Sequence, residues 1–325
     1  MKNGNSFDVY AIGEALVDFI PGEEVGSYIR HAGGAPANFA VAAAKNGLDA
    51  AMCCSVGDDD FGRFLYDTLE GFGVAAVNRE MCRSAVTTMS FVTLDGRGER
   101  SFTFARKPGA DMFLSRDMIN DEDILSARNL HAGSFSLSAS PAREATLYVM
   151  KTAHEAGRLV SFDVNYRDTV WDGDREACAV RVTDAAEYID ILKISDEEAD
   201  IIGGEDNIPA FMKEHDIAVV VETLGGDGAL VYFGGDVFAS PARSASVVDT
   251  TGAGDAFFGA FISSLIIEGA YTREKLSSGA LIRAAEYGNA SASLCVSGYG
   301  GITSIPTRER ILSVLQNEKV SSENS

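Results

Sequence analysis

The residues with the clearest chemical potential stand in VVDTTGAGDAF, 247–257. Gly252, Ala253 and Gly254 make a turn whose bare N–H groups can face an anion, and glycine permits both the turn and a close approach. Phe257, Phe258, Phe261 and Leu265 follow at near-helical spacing, so the turn opens a helix. A helix N-terminus stabilises negative charge through free amides and the positive end of its dipole. A P-loop would continue with Lys and Ser or Thr; this loop continues with Asp255. That carboxylate fits a division of labour in phosphoryl transfer: the amides face the phosphate, and Asp255 takes the proton of an incoming hydroxyl. The same residues also fit an ordinary helix start, in which Asp255 complements the dipole and does no chemistry. The chemical reading requires an alcohol site elsewhere in the chain.

Short β-rich apolar runs alternate with helical periodicity, the pattern of a parallel sheet covered by helices. Candidate strands are 8–13, 50–57, 129–134, 159–164, 190–195 and 217–225. ANFAVAAAKNG and FGRFLYDTLEGFG read as helices, the second ending on Gly71. In SPAREATLYVMKTAHEAG, Ser140 is placed to cap, Pro141 to occupy the first turn and Gly157 to close. Residues 14–32 read as extended, and 86–106 as a hairpin turning at Asp95-Gly96. Together these predict a small antiparallel sheet standing off the main one. The polar tail 319–325 reads as disordered.

The bulk composition narrows the function further. A chain of 325 residues, 46% apolar and 23% charged, buries a substantial core. Its formal net charge of -21 argues against nucleic-acid or anionic-membrane surfaces, which would repel it. Bound phosphate therefore needs local amides, a few chosen cations or a metal ion. The five cysteines show no CxxC spacing and fit reduced thiols; with no long apolar run, the expectation is a cytoplasmic protein.

These segments, in this order, resemble the ribokinase-like (PfkB) carbohydrate kinases. VDTTGAGDAF resembles their C-terminal signature and HAGGAPANFAVAAAKNG (31–47) their N-terminal one. GEALVDF (13–19), VGDDDFGRFL (56–65), RKPGADMFL (106–114), FDVNYRDTVW (162–171), LKISDEEADII (192–202) and VETLGGDGALVY (221–232) extend the likeness over nearly the whole chain. Within the family, GEALVDFIP, PGADMFL and KISDEE are most similar to bacterial fructokinases. The resemblance implies one α/β domain, 1–325: a three-layer αβα sandwich with a mainly parallel central sheet and a small β-sheet lid from about 15–32 and 86–106. It implies ATP and Mg²⁺, with γ-phosphoryl transfer to a sugar hydroxymethyl, D-fructose first among acceptors. Asp255 would be the base, and the amides of Gly252, Ala253 and Gly254 would stabilise developing charge.

On the sugar side, the resemblance has Asp18 accept hydrogen bonds from hydroxyls, while Gly33 and Gly34 let backbone approach and Asn38 adds a donor and an acceptor. Phe104 would cover a sugar face and Arg106 hydrogen-bond it. Alone, Asp18 reads equally as a strand-edge polar residue, Phe104 as core and Arg106 as a solvated strand residue. On the nucleotide side, Asn165 and Arg167 follow a strand end, where α/β sheets place ligands. Thr223, Gly225 and Gly226 would line phosphates and ribose, and Asn289 would stand beside the adenine. Glu198 corresponds to the glutamate of an NxxE motif linked to Mg²⁺ and its waters; Ser195 stands where Asn is commoner. SDEE also reads as an acidic helix start capped by Ser195. Asp249 and Thr251, with the loop around Gly298–Gly301, correspond to residues bounding a monovalent cation, K⁺.

Other acceptors remain open at this stage: aminoimidazole riboside, 2-keto-3-deoxygluconate or ribose. A non-catalytic sugar or nucleotide sensor on the same fold is a further alternative, although such a protein would be free to lose Asp255. A dehydrogenase fits poorly, because GAGDAF lacks the third glycine of GxGxxG and lies late in the chain. The lid sheet offers a face through which two chains could pair.

Overall fold

The computed structural model describes residues 6–22, 24, 26–94 and 100–323. Strand β1 (Val9–Ile12) leads into the pair β2 (Leu16–Pro21) and β3 (Tyr28–Gly33). Helix α1 (Ala35–Lys45) returns to β4 (Ala50–Cys53), and α2 (Asp60–Gly71) to β5 (Val74–Ala76). A second pair follows, β6 (Met89–Leu94) and β7 (Arg100–Ala105). Alternation then resumes with α3 (Asp121–Ser126), β8 (Asn129–Gly133), α4 (Ala142–Glu155), β9 (Leu159–Asp163) and α5 (Arg175–Ala186). It continues through β10 (Ile191–Ser195), α6 (Ile208–Glu214) and β11 (Val219–Thr223) to the hairpin β12 (Gly228–Phe233) and β13 (Asp236–Pro241). Helices α7 (Ala253–Ile267), α8 (Ser278–Cys295), α9 (Gly301–Ser304) and α10 (Arg308–Glu323) complete the chain.

The large sheet has the order β13-β12-β11-β10-β9-β8-β1-β4-β5, parallel except for the β12–β13 hairpin at one edge. Its inner strands are buried on both faces, which is why they read as unbroken apolar runs such as Val219-Val220-Val221. Strand β1 pairs with β4 on one side and β8 on the other, with Val9 opposite both Ala50 and Asn129. Succession therefore runs outward in opposite directions from the β1/β8 junction. The crevice beyond the carboxyl ends of the strands at such a switch point is where open α/β sheets bind ligands.

Two apolar layers sandwich the sheet. One packs α1, α2, α7 and α8 through residues such as Phe39, Leu65, Phe258, Phe261 and Leu281; the other packs α3–α6 through Ile124, Val149, Val182 and Phe211. Helix α7 is buried almost all round, and each fully buried Phe or Leu along it contributes about 1.5–3 kcal/mol over exposure. It crosses α1 so closely that a Cβ on Gly259 would lie 2.5 Å from Ala42 Cβ. The sequence-predicted strands are all present. The β12–β13 pair was not anticipated, although Gly234-Gly235, both at positive φ, is a hairpin signal between alternating residues.

The expected lid is a four-stranded sheet of order β3-β2-β6-β7. It is mixed, not antiparallel: β2 and β6 run parallel, because a long excursion through α1, β4, α2 and β5 separates them. The turn expected at Asp95-Gly96 lies outside the described residues. Ser140 does not cap α4; Pro141 occupies that position, and the Ser140 hydroxyl donates to Glu144 Oε1 at 2.7 Å. Gly157 closes the helix at φ 68, as expected. Helix α10 continues to Glu323 through the stretch expected to be a disordered tail; residues 324 and 325 lie outside the described residues. Among the described residues no helix is long and apolar enough to cross a membrane.

Candidate active site

A cavity of about 390 Å³ opens where the small sheet meets the carboxyl ends of the central strands. Its floor is the N-terminal turn of α7: Gly252, Ala253, Gly254 and Asp255 all line it. Gly252 adopts φ 77, and a Cβ there would lie 3.0 Å from Gly301 Cα, so this turn requires glycine twice over. Asn38, from α1, donates through Nδ2 to Asp255 Oδ2 at 2.6 Å. The base candidate is thereby fixed from a second helix. Burial and the nearby Asp163 charge push the Asp255 carboxyl up to about 6, while Asn38, Lys193 and Arg167 pull the other way.

The small sheet supplies the opposite wall. Asp18 on β2 and Phe104 on β7 line the cavity, with Phe104 edge-on to Phe135 at 5.7 Å. Burial raises Asp18 to about 6, against the Ser90 hydroxyl and the Arg167 charge. Gly33 stands behind Asp18, where a Cβ would meet Asp18 Oδ2 at 2.1 Å. Gly34, at φ 107, brings the start of α1 against β2; a Cβ there would lie 2.5 Å from the Glu14 carbonyl. Arg106 is not in this wall. Its guanidinium is buried, with Nε donating to Asp111 Oδ2 at 2.7 Å, Nη1 to Ser138 Oγ at 3.0 Å, and its plane 4.4 Å from the Phe135 ring centre. A buried cation needs a buried counter-charge, and Asp111 takes the role expected for a sugar hydroxyl.

A second cavity, about 420 Å³, lies on the other side of the α7 turn and shares Thr250 and Ala253 with the first. Gly225, Gly226 and Asn289 line it; the Asn289 Nδ2 is held by Ser240 and by the Pro241 carbonyl. Asn165 and Arg167, just past β9, line the first cavity, with Asn165 at φ 39. Ser195 and Thr223 end their strands without entering either lining, and the Thr223 hydroxyl donates to the Ile194 carbonyl. Glu198 accepts from the Tyr166 and Ser195 backbone N–H groups at 2.7 and 2.9 Å, consistent with the expected acidic helix start. Asp249 ties two loops together, accepting from the Thr251 and Gly300 N–H groups at 2.7 and 3.1 Å.

Six further cavity residues had no role in the sequence reading: Glu14, Leu16, Ala35, Phe135, Lys193 and Thr250. Lys193 Nζ donates to both oxygens of Asp163 at 2.9 Å. Its signal was a charge in the middle of an otherwise apolar strand, which demands a partner. Glu14, 2% exposed, accepts from the Ala35 N–H through Oε1 and has Oε2 unpartnered. Burial is the main cause that pushes its carboxyl up to about 8.

Known proteins share this arrangement. The description pfkB family carbohydrate kinase matches residues 6–308. Fructokinase-1 of Zea mays is 35% identical over 318 residues, covering 95% of this chain and 97% of that protein. The crystal structure of a fructokinase from Xylella fastidiosa with bound ATP superposes with TM-score 0.88 at 28% identity, covering 96% and 99% of the two chains. A Vibrio cholerae O395 fructokinase in its fructose, ADP and calcium ion bound form gives TM-score 0.84 at 32% identity, covering 95% and 99%. With both signatures on one cavity and the match spanning nearly its full length, the chain belongs to the pfkB family of carbohydrate kinases.

Proposed function

We propose that this kinase transfers the γ-phosphoryl group of ATP to the 6-hydroxymethyl group of D-fructose. The observation that carries the reading is the sharing of Thr250 and Ala253 between the two cavities. An acceptor held near Asp18 and a nucleotide held near Gly225 and Asn289 then meet over the first turn of α7. The fructokinases matched above support fructose as acceptor. In the reaction the acceptor oxygen bonds to the γ-phosphorus as the bond to the β,γ-bridging oxygen breaks, releasing ADP. Asp255 takes the hydroxyl proton, oriented by Asn38. The amides of the Gly252–Gly254 turn and the helix dipole stabilise the charge on the transferring group. Asp18 accepts sugar hydroxyls, and Phe104 and Phe135 cover an apolar sugar face.

Among the described residues no three His, Cys, Asp or Glu side chains gather into a metal site. Glu198, whose carboxylate is fixed by the Tyr166 and Ser195 amides just outside the two cavity linings, would be the residue to meet the waters of a divalent ion arriving on the triphosphate. When bound, Mg²⁺ would neutralise phosphate charge. A K⁺ held by backbone carbonyls of the Asp249–Thr251 and Gly298–Gly301 loops belongs to the same reading, with Asp249 as its charge complement. The test is ADP release across a sugar panel for wild type and D255N. Fructose should be the preferred acceptor, and D255N should keep ATP and sugar affinity while turnover falls by several orders of magnitude. A different preferred sugar overturns the acceptor; a D255N enzyme with most of its turnover overturns the base.

A further inference from the structure

A P-loop carries its own lysine to the phosphate; the Gly252–Gly254 turn has none, yet an ammonium lies directly beside it. A Cβ built on Gly254 would stand 3.4 Å from Lys193 Nζ and 3.6 Å from Cε. Lys193 comes from the middle of β10, faces Asp163 across the β9–β10 ladder and is 5% exposed, with its accessible part on the cavity. Two of its three N–H donors point at one carboxylate. We propose that Lys193 is the cation held against the transferred phosphoryl group, delivered from the sheet instead of from the loop. This rests on the phosphoryl-transfer reading above.

Several observations favour chemistry over a purely structural pair. A buried ion pair generally stabilises a fold no better than well-packed apolar residues would, and Leu192, Ile194 and Phe162, next to the pair along β9 and β10, are apolar. The titratable groups interacting with Lys193 are Asp163, Glu198, Asp255 and His131, the last neutral because burial and Lys193 itself hold it down at about 3. Burial works against the ammonium, but the three carboxylates outweigh it, so Lys193 stays charged. In a chain of net charge -21, Lys193 and Arg167 are the two basic side chains lining this cavity among the described residues. As the γ-phosphorus leaves the bridging oxygen of ADP and bonds to the sugar oxygen, with the hydroxyl proton passing to Asp255, Lys193 turns one donor from Asp163 to an equatorial phosphoryl oxygen. The Asp163 pair holds it ready and largely dehydrated until then.

The experiment compares wild type, K193M and the double variant K193M/D163N, which removes the Asp163 charge that K193M alone would leave without its ion-pair partner. Calorimetry with Mg²⁺ measures binding of ADP alone, then of ADP with fluoroaluminate and fructose as a mimic of the transferring group; turnover is measured in parallel. ADP affinity should stay within about threefold, while fluoroaluminate trapping and kcat both fall by about 10²–10³ in the double variant. Trapping as tight as wild type, or kcat within about tenfold of it, overturns the assignment. Loss of ADP affinity to the same degree as trapping also overturns it, because the lysine would then serve ground-state binding. A wild-type protein that neither traps the mimic nor releases ADP overturns the phosphoryl-transfer reading itself.

Discussion

Replacing Gly33 with alanine tests the sugar side of the cavity with a single methyl group. Gly33 pairs with Leu16 in the β2–β3 ladder, and its φ is not positive, so the backbone accepts alanine. The new Cβ would lie 2.1 Å from Asp18 Oδ2 and 3.1 Å from Cγ, whereas ordinary contact begins near 3.4 Å. The carboxylate must therefore swing away by an ångström or more. Because the colliding atom is the end of a side chain in a cavity wall, the fold yields cheaply. The loss falls on whatever hydroxyl Asp18 accepts. A hydrogen bond to a charged group is worth about 1.5–3 kcal/mol, or about 10–150-fold in kcat/KM for fructose. Coupled ADP release at varied fructose and varied ATP measures it, with a melting curve as control. The expected outcome is a fall confined to fructose, with KM for ATP and Tm little changed. A G33A enzyme within about twofold of wild type on fructose, below any charged hydrogen-bond loss, refutes the placement of Asp18 at the sugar.

Three other outcomes follow from the site. Burial pushes the Asp255 carboxyl of the free enzyme up to about 6, so kcat/KM should rise with pH through about 6 and stay level above; D255N should remove that limb. The raised value also means that the folded state holds its proton more tightly than the unfolded chain. Stability from that source is lost as pH rises from the usual carboxylate range through 6, and D255N should melt higher than wild type above that window. Glu14 obeys the same sign over a wider window, from about 4.5 to about 8. E14Q should therefore melt higher at pH 8.5 but not at pH 4; each pK unit corresponds to about 1.4 kcal/mol, and 1 kcal/mol to roughly 1–2 °C for a chain of 325 residues. R106M leaves Asp111 buried without its partner and should cost about 3–5 kcal/mol in denaturant unfolding. An R106M protein of normal stability but with a large rise in KM for fructose would return Arg106 to the sugar.

The parts of this molecule that the sequence made legible are those decided by neighbours along the chain. Parallel strands buried on both faces read as apolar runs, and Gly252, Gly254 and Asp255 announce themselves because turn, amides and carboxylate are consecutive. Pairings across the fold were harder. Arg106 looked like a free donor because Asp111, five residues on, turns back only through a short helical turn at Ala110–Phe113. Lys193 and Asp163 are thirty residues apart, and only the β9–β10 register sets them face to face. Asn38, expected at the sugar, lines the cavity, but its Nδ2 also donates to Asp255, 217 residues away, a pairing that exists only because α1 and α7 cross. Glu14 stood in a quoted motif, but nothing in a one-dimensional string reveals that its second oxygen ends unpartnered.

Asp18 belongs to β2 of the small sheet proposed as the lid, and β2 continues almost directly from the central strand β1. On the proposed assignment, gripping the acceptor and shutting the cleft draw on one and the same strand. A compound that fills the cleft yet offers Asp18 no hydroxyl would leave the flap unlatched and the nucleotide wet. Discrimination among acceptors and protection of ATP from idle hydrolysis would then be a single property, so mutations that loosen one should leak the other.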